Sequence, residues 1–339
     1  MRGEEVRAPL LRALAGFDRL VLLGDVLELR QGPVREALRA SEAVFRDLAA
    51  ALGSGRQIII VPGNHDHHLL GPWLERRSLT TAPAPLGLQT AVSWRAGEIL
   101  AAIAGWLEPV DVEVAYPGVW LRPDTFAMHG HYGDRHTTVP LLERLGAGVM
   151  ARVVREAAAG PRRAEDYEAT LAPIYAWIHA VAQAGAGGLG AGPDGASAQA
   201  WHALSGHGRG RGLRRRTMVA AFAVLIAALN RAHVGPLRTD LSPADLRRAS
   251  LRAFIEVLSR LDVDAPHVIF GHTHRAGPQP DDDQTEWRSS SGARLLNIGC
   301  WVHEPDFLGL APHTSPYRAG FAAVLDADTP PKLVNLLDR

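Results

Sequence analysis

The sequence predicts an α/β protein, a sheet covered by helices on both faces, with a long helical insertion. Three observations predict it. Short, almost wholly apolar runs alternate with amphipathic helical stretches early in the chain, the pattern of strands buried on both faces. From about residue 140 to 261 the sequence turns helical and Ala-rich. Strand character then returns at His267 to Phe270. The division expected is a core in two parts, 1–139 and 263–339, around an insertion at 140–262.

The elements follow in order. Glu4 to Ala15 carries Val6, Leu10, Leu11 and Leu14 at helical spacing, and Gly16 reads as the helix stop. Arg19 to Gly24 reads as a buried strand ending in a turn. Pro33 opens an amphipathic helix to about Leu52, with Pro near its first position, and Gly53-Ser54-Gly55 breaks it. Gln57 to Val61 is a second apolar strand, closed by Pro62-Gly63. Trp94 to Trp106 reads as a helix; Val112 to Val114, Val119 to Leu121 and Thr125 to Met128 read as strands. Further strands fall at His267 to Phe270, Arg294 to Ile298 and Phe321 to Leu325. Gly185 to Ser197 is a Gly/Ala loop.

Composition excludes several classes. The 339 residues hold 47% hydrophobic and 21% charged side chains, ordinary for a soluble globular protein. Lys plus Arg and Asp plus Glu stand at 36 each, so there is no basic excess of the kind a general nucleic-acid binder needs. Lys332 is the only lysine, a bias that reads as GC-rich coding. Cys300 is the only cysteine, which rules out an intrachain disulfide and fits a reducing compartment. Residues 1–19 lack an apolar core and are not a signal peptide. The longest apolar run, Met218 to Leu229, falls short of the about 20 residues a bilayer span takes. The expected location is the cytoplasm.

Four segments carry the chemistry: Gly24-Asp25-Val26-Leu27-Glu28, Gly63-Asn64-His65-Asp66, Met128-His129-Gly130-His131 and Gly271-His272-Thr273-His274. Each follows a predicted strand, where α/β sheets collect binding groups. One carboxylate, one amide oxygen and several imidazoles suit Mn, Fe or Zn better than Ca or Mg. Two such cations about 3.5–4 Å apart can clamp a phosphoryl group and supply hydroxide for in-line attack, and a histidine can protonate the leaving oxygen. Each motif alone is weak; a lone strand-end Asp, Asn or His is more often a turn or capping residue.

In this order, the four motifs resemble those of the calcineurin-like metallophosphoesterases, over residues 17–70, 119–136 and 265–303. The resemblance implies a four-layer αββα sandwich of two mixed sheets, carrying two metals in a complete site. It implies that Asp25 bridges both metals, that Asn64, His129 and His272 bind the second, and that His274 binds the first. His65 would serve the transition state and leaving group, with Asp66 orienting it. His129 is preferred to His131 because it sits directly before glycine at the strand end. His131, Glu28 and Arg135 are then candidates for the layer behind the ligands or for contact with substrate. His67 and His68 would line the mouth.

The family pattern opens with Asp-x-His, which this chain lacks; no histidine precedes His65. The expectation is a start inside the helix that follows the family's first strand, leaving that strand out. The second metal would then keep four ligands and the first only Asp25 and His274, so that one metal is held well and activity is impaired. The expected function is hydrolysis of a phosphomonoester, phosphodiester or pyrophosphate by a metal-activated hydroxide. The rivals are an inactive scaffold with one metal site and a nuclease, the latter opposed by the neutral charge. The insertion should project over the site. Its stretch Arg209 to Leu229 reads as a buried cap helix with a basic lead-in; the sharper alternative is a surface that meets a membrane or a lipid-like substrate.

Overall fold

The computed structural model describes residues 4–139, 142–184, 230–231, 243–302, 308 and 311–338. The chain divides into two compact units. The first comprises Met1–Glu28, Val34–His131 and Asp262–Arg339; the second comprises Leu29–Pro33 and Tyr132–Leu261.

The first unit is built on a mixed sheet. Its strands are β1 (Arg19–Leu23), β2 (Gln57–Val61), β3 (Gln89–Ala91), β4 (Asp111–Arg122), β5 (Thr125–Met128), β6 (His267–Phe270), β7 (Ala276–Gly277) and β8 (Arg294–Ile298). They pair in the order β1-β2-β4-β5-β6-β8-β7, with β3 alongside β4. A separate antiparallel pair joins β9 (Phe321–Val324) to β10 (Lys332–Asn335).

The long strand β4 positions everything else. It runs parallel to β2 over its first residues, Ile58↔Val112 and Ile60↔Val114. It then runs antiparallel to β5, Gly118↔Met128 and Trp120↔Phe126. The sequence reads two strands here, Val112 to Val114 and Val119 to Leu121; the structure keeps them as one. Between the two pairings β3 lies against residues 115–117, and Leu88 O accepts from Gly118 N at 3.1 Å, so the segment stays extended. The sheet curls about β4. The carboxyl ends of β1 and β2 thereby meet those of β5 and β6, with Leu23 level with Val61 on one side and Ala127 level with Ile269 on the other.

One apolar cluster joins Leu23, Ile59, Val61, Ala115, Val119, Ala127 and Ile269, drawing on strands from both ends of the sheet. Helices α1 (Glu4–Leu14), α2 (Val34–Leu52), α3 (Gly71–Ser78) and α4 (Ile99–Trp106) accompany it. Helix α2 buries Phe45, Leu48, Ala49 and Leu52, one stripe at helical spacing, with Phe45 stacked on Trp106. Each large side chain so buried contributes about 1.5–3 kcal/mol over leaving it in water. Helix α4 starts later than its hydrophobic pattern, which reaches back to Trp94. Glu98 accepts from Arg95 N and pairs with Arg76, fixing 95–98 as a turn.

The second unit contains α5 (Leu142–Val153), α6 (Ala164–Gln183) and α7 (Pro243–Arg260). Tyr132 stacks on Tyr167 with centroids 4.6 Å apart and donates to Glu168 at 2.8 Å. His179 Nδ1 meets Leu29 O at 2.9 Å, which ties the segment 29–33 into this unit. The apolar stretch 218–229 and its basic lead-in lie outside the described residues. Among the described residues, no helix is long and apolar enough to cross a membrane.

Candidate metal centre

Three of the predicted ligands converge. Asp25 follows β1, His129 follows β5 and His272 follows β6, and one ligand atom from each lies within 4.8 Å of the others. Two ligands at about 2.1 Å from one ion sit at most about 4.2 Å apart. The cluster reaches that spacing with side-chain adjustments below about 1 Å.

The hydrogen bonds of His129 show why a cation suits it. Its Nδ1 lies 3.0 Å from Leu23 O. A carbonyl only accepts, so Nδ1 carries a proton. In the neutral ring Nε2 then presents its lone pair to Asp25 Oδ2, 3.1 Å away. That contact is at ion-pair distance but falls short of hydrogen-bond geometry, and Nε2 is a buried nitrogen with no hydrogen-bond partner. Two acceptors face each other across a gap that only a proton or a metal ion relieves. A backbone carbonyl on the far nitrogen is the usual way of aiming an imidazole at a metal.

The same tension sets the charges. Burial works against a charge on either group. For His129 burial is outweighed by Asp25, Leu23 O and Asp66 together, and the ring's pKa is raised. For Asp25 the pull of His129, His65 and His272 outweighs burial and holds the carboxyl well below its usual range.

Asn64 supplies a third donor type. It is buried, and its Oδ1 has no hydrogen-bond partner. An orphaned buried amide oxygen is costly unless something polar or charged meets it, and Asn64 lies between Gly63 and His65, which both touch Asp25. The donor set of one carboxylate, one amide oxygen and two imidazoles therefore fits a divalent cation. His274 lies outside the three-residue cluster. Burial, only partly opposed by Asp25, pushes its ring down to about 4, so it is neutral at pH 7.

The backbone is bent to hold these groups. Asp25, His272 and His274 have φ of 53°, 67° and 60°, a left-handed conformation that costs an ordinary side chain about 1–3 kcal/mol. Three of the five non-glycine residues with positive φ among the described residues fall on these motif residues, the others being Arg155 and Asp262. Gly24 and Gly63 permit the crowding. A Cβ on Gly24 would fall 1.9 Å from the His129 ring, and one on Gly63 would fall 2.3 Å from Asp25 Oδ1.

Asp66 is fully buried, and its carboxylate accepts from backbone N–H groups: Gly63 at 2.6 Å, Val26 at 2.8 Å, and Asp25 and Leu27 at longer range. It clamps the turn after β1 to the turn after β2. Burial first, then the charge of Asp25, pushes it up to about 6. This differs from orienting His65. The carboxylate that meets the His65 ring belongs to Glu28, whose Oε2 lies 2.6 Å from Nδ1, while His65 N donates to Asp25 Oδ1 at 2.9 Å. Asp66 has no reach to spare because four backbone donors already converge on it.

The remaining candidates separate. His131 is fully buried, with Nε2 3.1 Å from Tyr116 OH, and burial holds its pKa well below the usual value. It packs behind His129, centroids 5.6 Å apart. His67, expected at the mouth, is instead buried edge-on against Tyr116. Arg135 lies in the second unit, paired with Glu156.

Two contributors escape a motif reading. Asn297 is buried in β8; its Nδ2 donates to Gly271 O and Thr273 Oγ1, and its Oδ1 accepts from Gly299 N. It pins the loop that carries His272 and His274. Its signal in the sequence is one amide inside the apolar run Leu295 to Ile298. Tyr116, behind His131, has no such signal.

No protein-family model matches this chain, and no curated protein matches it.

Proposed function

We propose that this protein is a metal-dependent hydrolase of phosphoric esters or pyrophosphates, of the calcineurin-like metallophosphoesterase kind. The observation that carries the reading is the meeting of Asp25 and His272 with the buried His129, together with the orphaned, buried Oδ1 of Asn64. The order of the four motifs and the left-handed backbone at Asp25, His272 and His274 support it. We read the sheet as two layers folded face to face at β4 with helices outside; the apolar cluster shared by strands from both ends supports that.

Asp25, Asn64, His129 and His272 would hold a divalent cation, with His274 available to a second. Such a cation supplies Lewis acidity towards a phosphoryl oxygen and a nucleophile at neutral pH. The chain's own residues do the rest. Leu23 O fixes the tautomer and direction of His129. Asp66 holds the loops carrying Asp25 and Asn64 at a set separation. Glu28 holds the Nδ1 proton of His65, so a proton passed to a leaving oxygen moves from Nε2. Glu28 also stabilises the charged ring while it carries that proton.

The test is hydrolysis of bis(p-nitrophenyl) phosphate and p-nitrophenyl phosphate with added Mn²⁺, comparing the wild type with Asp25→Ala. Turnover that needs both the metal and Asp25 supports the reading. Metal binding at this site without turnover of any phosphoester or pyrophosphate would leave a binding protein instead.

A further inference from the structure

The second unit holds buried charge that the metal centre does not use. Arg144, in α5, is 3% exposed. Its Nε donates to Thr137 O at 2.9 Å, and its Nη1 is buried with no hydrogen-bond partner. Arg135 bonds Glu156 through Nη2, while its Nε and Glu156 Oε1 are also buried without partners. Arg260 donates to Ala159 O and Pro161 O and pairs with Glu256, a half-exposed carboxylate. Beside them His136 Nε2 shares a 2.7 Å hydrogen bond with Tyr167 OH.

The charges do not balance. Arg260 has Glu256, and the one carboxylate that acts on Arg144 is Glu156, which is already committed to Arg135. Glu156 attracts Arg144 without bonding it. The excess is felt by His136: burial first, then Arg260, Arg135 and Arg144, push its ring down to about 3, so it adds no charge. Burial and Arg135 push Arg144 down to about 10, which still leaves it cationic at neutral pH. A buried cation with an unmet donor is among the costliest things a fold can carry.

We propose that this cluster binds a small oxyanion, a phosphate or carboxylate group, to whose oxygens Arg144 Nη1 and Arg135 Nε donate. A planar guanidinium with spare N–H donors matches either group, and charge-assisted bonds are the strong ones. The site lies within the second unit, shares no residue with the metal cluster, and stands whether or not the proposed hydrolysis is correct.

The experiment is titration calorimetry on the full chain, treated with EDTA so that no metal offers a competing phosphate site. Inorganic phosphate and malonate are titrated separately at constant ionic strength in chloride. The expected result is saturable binding of one or both anions, weakened at least about tenfold in Arg144→Gln. Phosphate alone identifies a tetrahedral ligand; malonate binding identifies a carboxylate. Should Arg144→Gln fail to fold, Arg135→Gln carries the same expectation. Absence of saturable binding, or equal binding by wild type and a folded variant, overturns the proposal.

Discussion

Replacing Gly63 by alanine tests whether close packing around Asp25 sets the metal's affinity. The new Cβ would fall 2.3 Å from Asp25 Oδ1, 2.7 Å from His129 Cδ2 and 2.8 Å from His129 Nε2. Ordinary contacts with carbon lie beyond about 3.4 Å, so the carboxylate has to retreat by about 1 Å. Asp25 cannot do so freely, because Oδ1 accepts from His65 N and Oδ2 faces His129 Nε2. Overpacking of this size costs about 1–3 kcal/mol of stability. Displacing a ligand's support costs about 10–100-fold in metal affinity. The assay is competition for Mn²⁺ or Zn²⁺ against a chelator of known affinity, with circular dichroism to show that the fold survives. Gly105→Ala is the control, since a Cβ there meets nothing within 4 Å. It should bind metal as the wild type does and be slightly more stable, as alanine is the better helix former. A folded Gly63→Ala protein with wild-type affinity would refute the packing argument.

Further outcomes follow from the same contacts. Glu28→Gln should lower turnover by about tenfold or more with metal content unchanged, because it loosens His65 without touching a ligand; equal kcat would remove His65 from the proton transfer. Asn297→Ala frees the loop carrying His272, and metal affinity should fall by about tenfold or more; chelator competition reads it, and an unchanged affinity counts against the pin. In EDTA the melting temperature should fall as pH rises. Asp66 is raised above its ordinary 3.8, so its contribution is complete below that value and is lost through about 6. His129 is raised above 6.5, so its contribution is complete below 6.5 and is lost as pH rises through its raised folded value. Asp25, depressed, loses its contribution only in strong acid. Added Mn²⁺ should flatten the fall by meeting Asp25 and His129 directly, and a metal-free midpoint that climbs from pH 6 to 8 would contradict these charges.

Much of the core was legible because its strands are short apolar runs closed by glycine. The apolar runs at 57–61, 267–270 and 294–298 coincide with β2, β6 and β8. Strands β3, β7 and β10 carried no such mark: they are two to four residues long, and β3 is largely exposed. Residues 115–118 do not read as strand because the pairing that keeps them extended comes from β3, which the sequence hides. At the site, ligand types at strand ends could be read, but the partners behind them could not. Glu28 meets His65 across 37 positions, and Asp66 caps a turn about 40 positions away. Such contacts depend on β1 lying beside β2, which no local pattern states.

The central claim is that Asp25, Asn64, His129 and His272 hold a divalent cation. Its most direct test is metal content, by mass spectrometry after dialysis, of the wild type and an Asn64→Ala, His272→Ala double variant. The account predicts about one tightly held metal per wild-type chain, as four protein ligands suffice for one ion, and its loss from a folded double variant. Equal metal in both proteins, or none in the wild type after supply of Mn²⁺, Fe²⁺ and Zn²⁺, would contradict it.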